Sequence, residues 1–171
     1  MAMKTAGLTV LALLSVLTGI FYARQIEKRI RVTDFFIMLI KEIKIRIAYS
    51  RQPLVNIISD VMTQTDNGNS EFLKLVLSQT GQGMSFADSW SRALVKCGEM
   101  SCLKSEDRTL LNSFASKLGT SYADGQIQTC ETYTELLTQR NRLLKEKSVN
   151  QIKVTQSMGA LVGALILIFF C

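Results

Sequence analysis

The sequence contains no histidine, and this absence removes much of enzyme chemistry at the outset. Histidine is the usual general base near neutral pH, the commonest metal ligand and the partner that activates serine and cysteine nucleophiles. Carboxylates would have to replace it, but Glu42, Glu99 and Glu106 are scattered along the sequence and form no recognisable acid–base pair. We therefore predict no catalytic site, no cofactor and no small-molecule substrate.

Cysteine is scarce as well, with four residues at Cys97, Cys102, Cys130 and Cys171. Only Cys97 and Cys102 lie close together in the sequence. A structural zinc site needs about four Cys or His ligands, which this chain does not offer in a suitable spacing. The pattern predicts ordinary reduced thiols and no metal site.

A single proline in 171 residues, of which 47% are hydrophobic, favours one helical domain between apolar ends. The net charge of +6 is compatible with a nucleic acid or with an anionic membrane surface, so the position of the basic residues decides. These residues cluster beside the apolar ends and form no stripe with interleaved aromatic side chains. We therefore predict the lipid bilayer as a partner and no nucleic acid.

The first apolar segment, residues 5–23, carries no charge. As a helix rising about 1.5 Å per residue it reaches ~28 Å, which just spans a hydrocarbon core of about 30 Å. A cleaved signal peptide is the alternative, but Phe21 is too large for its small-x-small cleavage site. The basic run that follows resists translocation and favours a retained transmembrane helix. The residues predicted to set this topology are Arg24, Lys28, Arg29 and Arg31.

The second uncharged segment, residues 154–171, has its continuous apolar part at 158–171. Its length alone leaves open a buried core helix or an apolar tail in a partner's groove. The basic residues upstream, ending at Lys153, favour a transmembrane helix whose upstream side stays in the cytoplasm. We therefore expect residues 24–153 to face the cytoplasm and both termini to face away from it.

Small residues recur in both apolar segments at a spacing that allows two helix backbones to approach closely. Gly159 and Gly163 form a G-x-x-x-G pattern, and Ser15 and Gly19 have the same spacing in the first segment. This predicts packing between membrane helices along these faces.

The middle of the chain, residues 24–153, predicts a bundle of about six helices, so the fold class is all-α. The run from Ile43 to Ile47 alternates like a strand, but it has no second strand to pair with, and we interpret it as helix. Pro53 is expected in the first turn of the helix that starts at Leu54, and residues 105–107 are expected to cap a later helix. Trp90 repeats with apolar neighbours every four residues, which predicts a core position and not a ligand site.

Several segments resemble stage III sporulation protein AB of endospore-forming Firmicutes. They are RIAYSRQPL at 46–54, SWSRAL at 89–94, LKSEDRTLLNSFASKLG at 103–119, Gln126, and SMGALVGALIL at 157–167. The resemblance covers nearly the whole chain, and the order and spacing of these segments carry it. The family-motif positions are Tyr49, Pro53, Leu54, Trp90, Leu94, Phe114, Leu118, Gly119 and Gln126.

The resemblance implies a cytoplasmic bundle similar to the F-type inner-membrane platform of type II secretion and type IV pilus systems. It implies a place in the mother-cell (outer forespore) membrane, with both termini on the intermembrane side. The implied partners are a secretion-type ATPase, stage III sporulation protein AA, and the other stage III sporulation A proteins. The expected function is a platform, required for sporulation, that couples this ATPase to the channel, with the helix from Ile127 onward as connecting rod. A static membrane scaffold or a generic type II secretion F-like subunit stays the alternative.

Overall fold

A computed structural model describes the backbone of residues 2–49, 52–64, 70–120 and 122–170. Side chains are described over 18–49, 52–63, 71–120 and 122–149. Within these ranges the chain forms six α-helices and one 3₁₀ helix, with no β-strand among them, which confirms the all-α prediction. The helices are α1 (Ala2–Tyr49), α2 (Leu54–Gln64), α3 (Ser70–Gly81), α4 (Phe86–Lys96), the 3₁₀ helix (Gly98–Cys102), α5 (Ser105–Lys117) and α6 (Ala123–Phe170).

The chain divides into two compact units. The terminal unit comprises Met1–Ile30 and Arg142–Cys171, and the bundle unit comprises Arg31–Asn141. The two long helices, α1 and α6, each contribute residues to both units, whereas α2 to α5 belong wholly to the bundle unit.

Trp90 of α4 lies fully buried at the centre of the bundle unit. Its ring packs against aromatic rings from α1, α3 and α5, and against one from its own helix. The ring centroids lie 5.7 Å away for Phe36, 4.9 Å for Phe72, 5.5 Å for Phe86 and 5.8 Å for Phe114. Such tilted and edge-to-face pairs add stabilisation beyond the burial of apolar area. The prediction of Trp90 as a core residue is confirmed.

The inner face of α1 is apolar and buried along the bundle unit, where Phe36, Ile40 and Ile43 have no solvent exposure. The alternation of isoleucine and basic residues from Ile43 to Ile47 follows from this helix packing and not from a strand. Ile43 and Ile47 point into the core, while Ile45 is 49% exposed on the other side of the helix. The choice of helix for this segment is confirmed.

Two polar contacts show that α1 and α6 run antiparallel within the bundle unit. Asp34 contacts Asn141, and Lys44 Nζ lies 2.8 Å from Glu131 Oε1. Asp34 and Lys44 are ten residues apart on α1, and their partners Asn141 and Glu131 are ten residues apart on α6 in the reverse order. One antiparallel alignment of the two helices therefore accounts for both contacts. The buried side chains of α6 in this unit include Cys130, Tyr133 and Leu137.

The helix ends agree only in part with the sequence prediction. Pro53 precedes α2 instead of lying in its first turn, because its carbonyl oxygen accepts hydrogen bonds from the N–H groups of Asn56 (3.0 Å) and Ile57 (3.2 Å). The N-cap of α5 is Lys104, so the prediction that Ser105 begins the cap was wrong by one residue. Gly119 follows α5 with φ of +85°, a left-handed conformation that suits glycine after a helix end, as predicted.

No helix in the described part of the chain holds a stretch both long and apolar enough to cross a bilayer. The side chains of residues 5–17 and of 154–171 lie outside the described residues, so the two predicted membrane helices stay predictions. The same holds for the packing residues Ser15, Gly159 and Gly163 and for Lys153. Gly19 is described and half-buried. Cys171 also lies outside the described residues.

Candidate coupling site

Two consecutive polar residues, Arg140 and Asn141, end the α6 segment of the bundle unit. Neighbouring positions on a helix point about 100° apart, so these two side chains reach different elements. Arg140 contacts the first turn of α5, and Asn141 contacts α1. We name these two residues and their partners Asp34, Glu106 and Asp107 the polar clasp.

The α5 side of the polar clasp centres on Asp107, which is only 3% exposed. Its Oδ1 lies 2.8 Å from Arg140 Nε, and its Oδ2 accepts the backbone N–H of Lys104 at 3.0 Å. The exposed carboxylate of Glu106 also pairs with the Arg140 guanidinium. Carboxylates in the first turn of a helix are stabilised by the helix dipole, and a buried carboxylate needs its cation. Both conditions are met here.

The α1 side of the polar clasp is the contact between Asn141 and Asp34. Asn141 is 3% exposed, and its Nδ2 donates a hydrogen bond to Asp34 Oδ1. A buried amide without such a partner is costly, so the bond fixes where Asn141 lies against α1.

Arg108 holds the junction from α4 through the 3₁₀ helix to α5. Its Nη1 donates to the carbonyl of Leu94 at 2.6 Å, its Nη2 to that of Met100 at 2.9 Å, and its Nε to that of Leu103 at 3.4 Å. The Leu94 carbonyl belongs to the last turn of α4, where carbonyls lack partners within the helix. The guanidinium thus satisfies polar backbone groups from three consecutive segments.

The outer face of α1 carries exposed apolar side chains. Met38 is 70% exposed and Tyr49 is 89% exposed, with Ile45 between them. Spacings of seven and four residues place all three on one side of the helix. Exposed apolar residues grouped in this way are typical of a protein contact surface.

The predicted family-motif residues do not form a single site. Trp90, Leu94, Phe114 and Leu118 are buried core residues, Leu54 and Gln126 are half-buried, and Tyr49, Pro53 and Gly119 are exposed. Among the predicted topology residues, Arg24 and Arg31 are exposed and Lys28 is half-buried. Arg29 is buried instead, at 8% exposure.

The cysteines and acidic residues show little sign of site chemistry. Within the ranges that the structure describes, no three His, Cys, Asp or Glu residues lie close enough to hold a metal ion. Cys97 and Cys130 are buried thiols, and burial raises the pKa of Cys130 to about 12. A thiol with that pKa is almost wholly protonated near neutral pH, so it is a poor nucleophile.

Sequence reasoning missed the polar clasp and the role of Arg108. Arg140 was assigned to the basic residues upstream of the second apolar segment, whose predicted role was to set the membrane topology. Asp107 was assigned only to the helix cap. A signal was present for Asn141, which lies four residues after Leu137 and three before Leu144, so it shares one helix face with these two leucines. For Arg108 the sequence carries no such signal, because contacts to distant carbonyls leave no periodic pattern.

These features define an all-α helical-bundle protein held together by an aromatic core and by polar contacts between helices. The family model for stage III sporulation protein AB matches residues 4–171, and the chain belongs to this family. Membership gives it a role in sporulation. No match was found among curated proteins or among solved structures.

Proposed function

We propose that the chain is a non-enzymatic platform in the mother-cell membrane that passes the conformational change of a secretion-type ATPase to the sporulation channel. The observation that carries this proposal is the continuity of α6, a 48-residue helix from Ala123 to Phe170. Its N-terminal half packs in the bundle unit, and its C-terminal part ends in the predicted second membrane segment. A helix without a break transmits displacement along its axis better than a flexible linker does.

The polar clasp supports the same proposal. Displacement can pass from the bundle to α6 only if α6 is fixed to the bundle near the point where it leaves. Arg140 and Asn141 make such contacts with α5 and α1 at that end of the bundle unit.

Membrane placement draws support from the residues at the end of the first apolar segment. Phe21 and Tyr22 are exposed, and the exposed Arg24 follows them. Aromatic side chains next to basic ones are typical of the boundary between membrane and cytoplasm. With the basic flanks of both segments, this pattern favours a cytoplasmic bundle with both termini on the intermembrane side.

The proposed partners are the ATPase, stage III sporulation protein AA, and the other stage III sporulation A proteins. The exposed apolar residues Met38, Ile45 and Tyr49 on the outer face of α1 support a protein partner. Burial of such surface is the usual source of affinity between proteins.

Co-purification from sporulating cells tests the proposal. A tagged full-length chain, solubilised in mild detergent, should retain the ATPase, whereas an unrelated tagged membrane protein should not. Recovery of the other sporulation A proteins without the ATPase would contradict coupling and favour the static scaffold. Retention of DNA in place of proteins would favour a basic nucleic-acid binder.

Thiol labelling of intact cells tests the orientation. The variant Gln25→Cys places a thiol at an exposed position beside Arg24, in a chain that also carries Cys102→Ser and Cys171→Ser. A membrane-impermeant thiol reagent should leave it unlabelled until the cells are opened. Labelling from outside would show that the bundle does not face the cytoplasm.

A further inference from the structure

Asn141 interrupts a buried face of α6 that is otherwise largely apolar. Cys130, Tyr133, Leu137 and Leu144 are buried along this helix, and Asn141 falls at the next position of the same three- and four-residue spacing. Apolar side chains at such spacing tolerate a shift of one helix by a turn, because one apolar contact replaces another. A single buried polar residue does not, and in coiled coils it specifies the register of the helices.

A shifted α6 would lose specific hydrogen bonds at both sides of the polar clasp. Asn141 Nδ2 would lose Asp34 Oδ1, and its own Oδ1 already has no hydrogen-bond partner among the described residues. Arg140 would move away from the buried Asp107 carboxylate. The first loss leaves the buried Asn141 amide without its acceptor, and the second separates the buried Asp107 carboxylate from its cation, and both are strongly unfavourable.

A further polar contact between α1 and α6 is a weaker constraint. Lys44 and Glu131 are bridged at 2.8 Å, but their side chains are 38% and 56% exposed. Exposed ion pairs contribute little, because water screens them and replaces them readily. The contacts of Asn141 with Asp34 and of Arg140 with Asp107 therefore distinguish the native register from shifted ones.

We propose that Arg140 and Asn141 together form a register lock, which fixes the turn of α6 that lies beside Asp34 of α1 and Asp107 of α5. Arg140 sets α6 against α5, and Asn141 sets it against α1. They are positioning residues, and the inference goes beyond the proposed function because a static scaffold would need the same register. The register lock also explains why a polar residue, Asn141, occupies a buried face of α6 on which leucine would pack.

Thiol cross-linking in the membrane-embedded full-length chain measures the register directly. Lys44→Cys is combined with Glu131→Cys for the native register, or with Gln128→Cys or Glu135→Cys for registers shifted by about one turn. Cys102→Ser and Cys171→Ser form the background. Cys97 and Cys130 are buried, and burial raises the pKa of both thiols, so they stay unreactive in the folded chain.

With the lock intact, a short thiol-specific cross-linker should join the 44–131 pair in clear preference to the shifted pairs. Asn141→Leu should lower this preference, and Arg140→Met with Asn141→Leu should lower it further, by at least about threefold if buried polar residues set the register. The reciprocal exchange Asp34→Asn with Asn141→Asp keeps one hydrogen bond between the same positions and should restore the preference.

Thr134→Val is the matched control. Thr134 lies seven residues before Asn141 on α6, and its Oγ1 is buried with no partner in the described residues, so its removal should leave the register unchanged. Fluorescence of the buried Trp90 shows which variants are folded. A folded double variant that keeps the native preference would overturn the proposal. If the double variant does not fold, an unchanged preference in Asn141→Leu would overturn it as well.

Discussion

Arg108 Nη1 donates a hydrogen bond of 2.6 Å to the carbonyl oxygen of Leu94, which joins the start of α5 to the last turn of α4. Further bonds from the same guanidinium reach Met100 and Leu103. One side chain thus fixes the path of the chain through the 3₁₀ helix. Because α4 carries Trp90, this contact also holds the centre of the aromatic core in place.

Replacing Arg108 should therefore destabilise the bundle unit. Hydrogen bonds to a charged group contribute about 1.5–3 kcal/mol, so we expect Arg108→Ala to lower the free energy of unfolding by roughly 2–3 kcal/mol. Arg108→Lys should recover less than half, because an ammonium group cannot reproduce the planar fork. Urea unfolding of the full chain in detergent, followed by the fluorescence of the single tryptophan Trp90, measures both. The exposed Arg92 on α4 provides the control, and equal losses for Arg92→Ala and Arg108→Ala would refute the assignment.

Glu106 and Asp107 both pair with Arg140, but their burial predicts very different energies. Asp107 is almost wholly buried, so Asp107→Ala removes the buried partner of the Arg140 guanidinium, which keeps only the exposed Glu106. It also leaves the Lys104 N–H without its acceptor, and we expect a loss of about 3 kcal/mol. The Glu106 side chain is 73% exposed, and Glu106→Ala should cost at most about 1 kcal/mol. The same unfolding assay compares the two variants. Similar losses would show that burial does not govern this cluster.

The buried thiol of Cys130 should resist modification in the folded protein. Burial raises its pKa to about 12, although the nearby Lys44 lowers it in part. In a chain that carries Cys171→Ser, we expect a maleimide at pH 8 to modify the half-buried Cys102 and to reach Cys130 only after denaturation. Mass spectrometry of the labelled chain identifies the sites. Rapid labelling of Cys130 without denaturant would contradict its placement in the core.

The same pKa shift predicts how stability depends on pH. The thiol ionises near its ordinary value of 9.0 in the unfolded chain but near 12 in the folded one. The folded state therefore keeps a proton that the unfolded state loses, so this contribution is fully present below pH 9 and is lost as the pH rises towards 12. Between pH 8 and 10, we expect the wild type to lose about 1 kcal/mol relative to Cys130→Ala. A constant difference across that range would contradict the shift.

The sequence predicted the α-helices in their order, because most of them carry an apolar period, although not every helix start was predicted correctly. Ser85 and Asp88 have the spacing of a capping box, and Ser85 Oγ accepts the N–H of Asp88 at 3.1 Å. Trp90 was predicted as core from its four-residue spacing with apolar neighbours. An amphipathic period in the sequence is enough to predict which face of a helix is buried.

The errors and omissions share a physical cause. Pro53 fits the first turn of a helix by its fixed φ, but its carbonyl can also accept the first bonds, and spacing alone does not separate the two roles. The polar clasp joins α1, α5 and α6, which are far apart in the sequence. Its charged members look like surface residues until tertiary packing brings them together.

The proposed function requires that α6 is continuous beyond the bundle unit, and Ser148 allows a direct test. Ser148 is half-buried on α6, past the polar clasp. Ser148→Pro removes a helix hydrogen bond and kinks the helix at a cost of about 3 kcal/mol, whereas Ser148→Ala preserves it.

The decisive measurement is the frequency of heat-resistant spores in strains that carry each variant at equal protein level. We expect wild-type frequency for Ser148→Ala and loss of sporulation for Ser148→Pro, with the ATPase still co-purifying. Wild-type sporulation with Ser148→Pro would contradict transmission through α6 and leave a static scaffold as the better description.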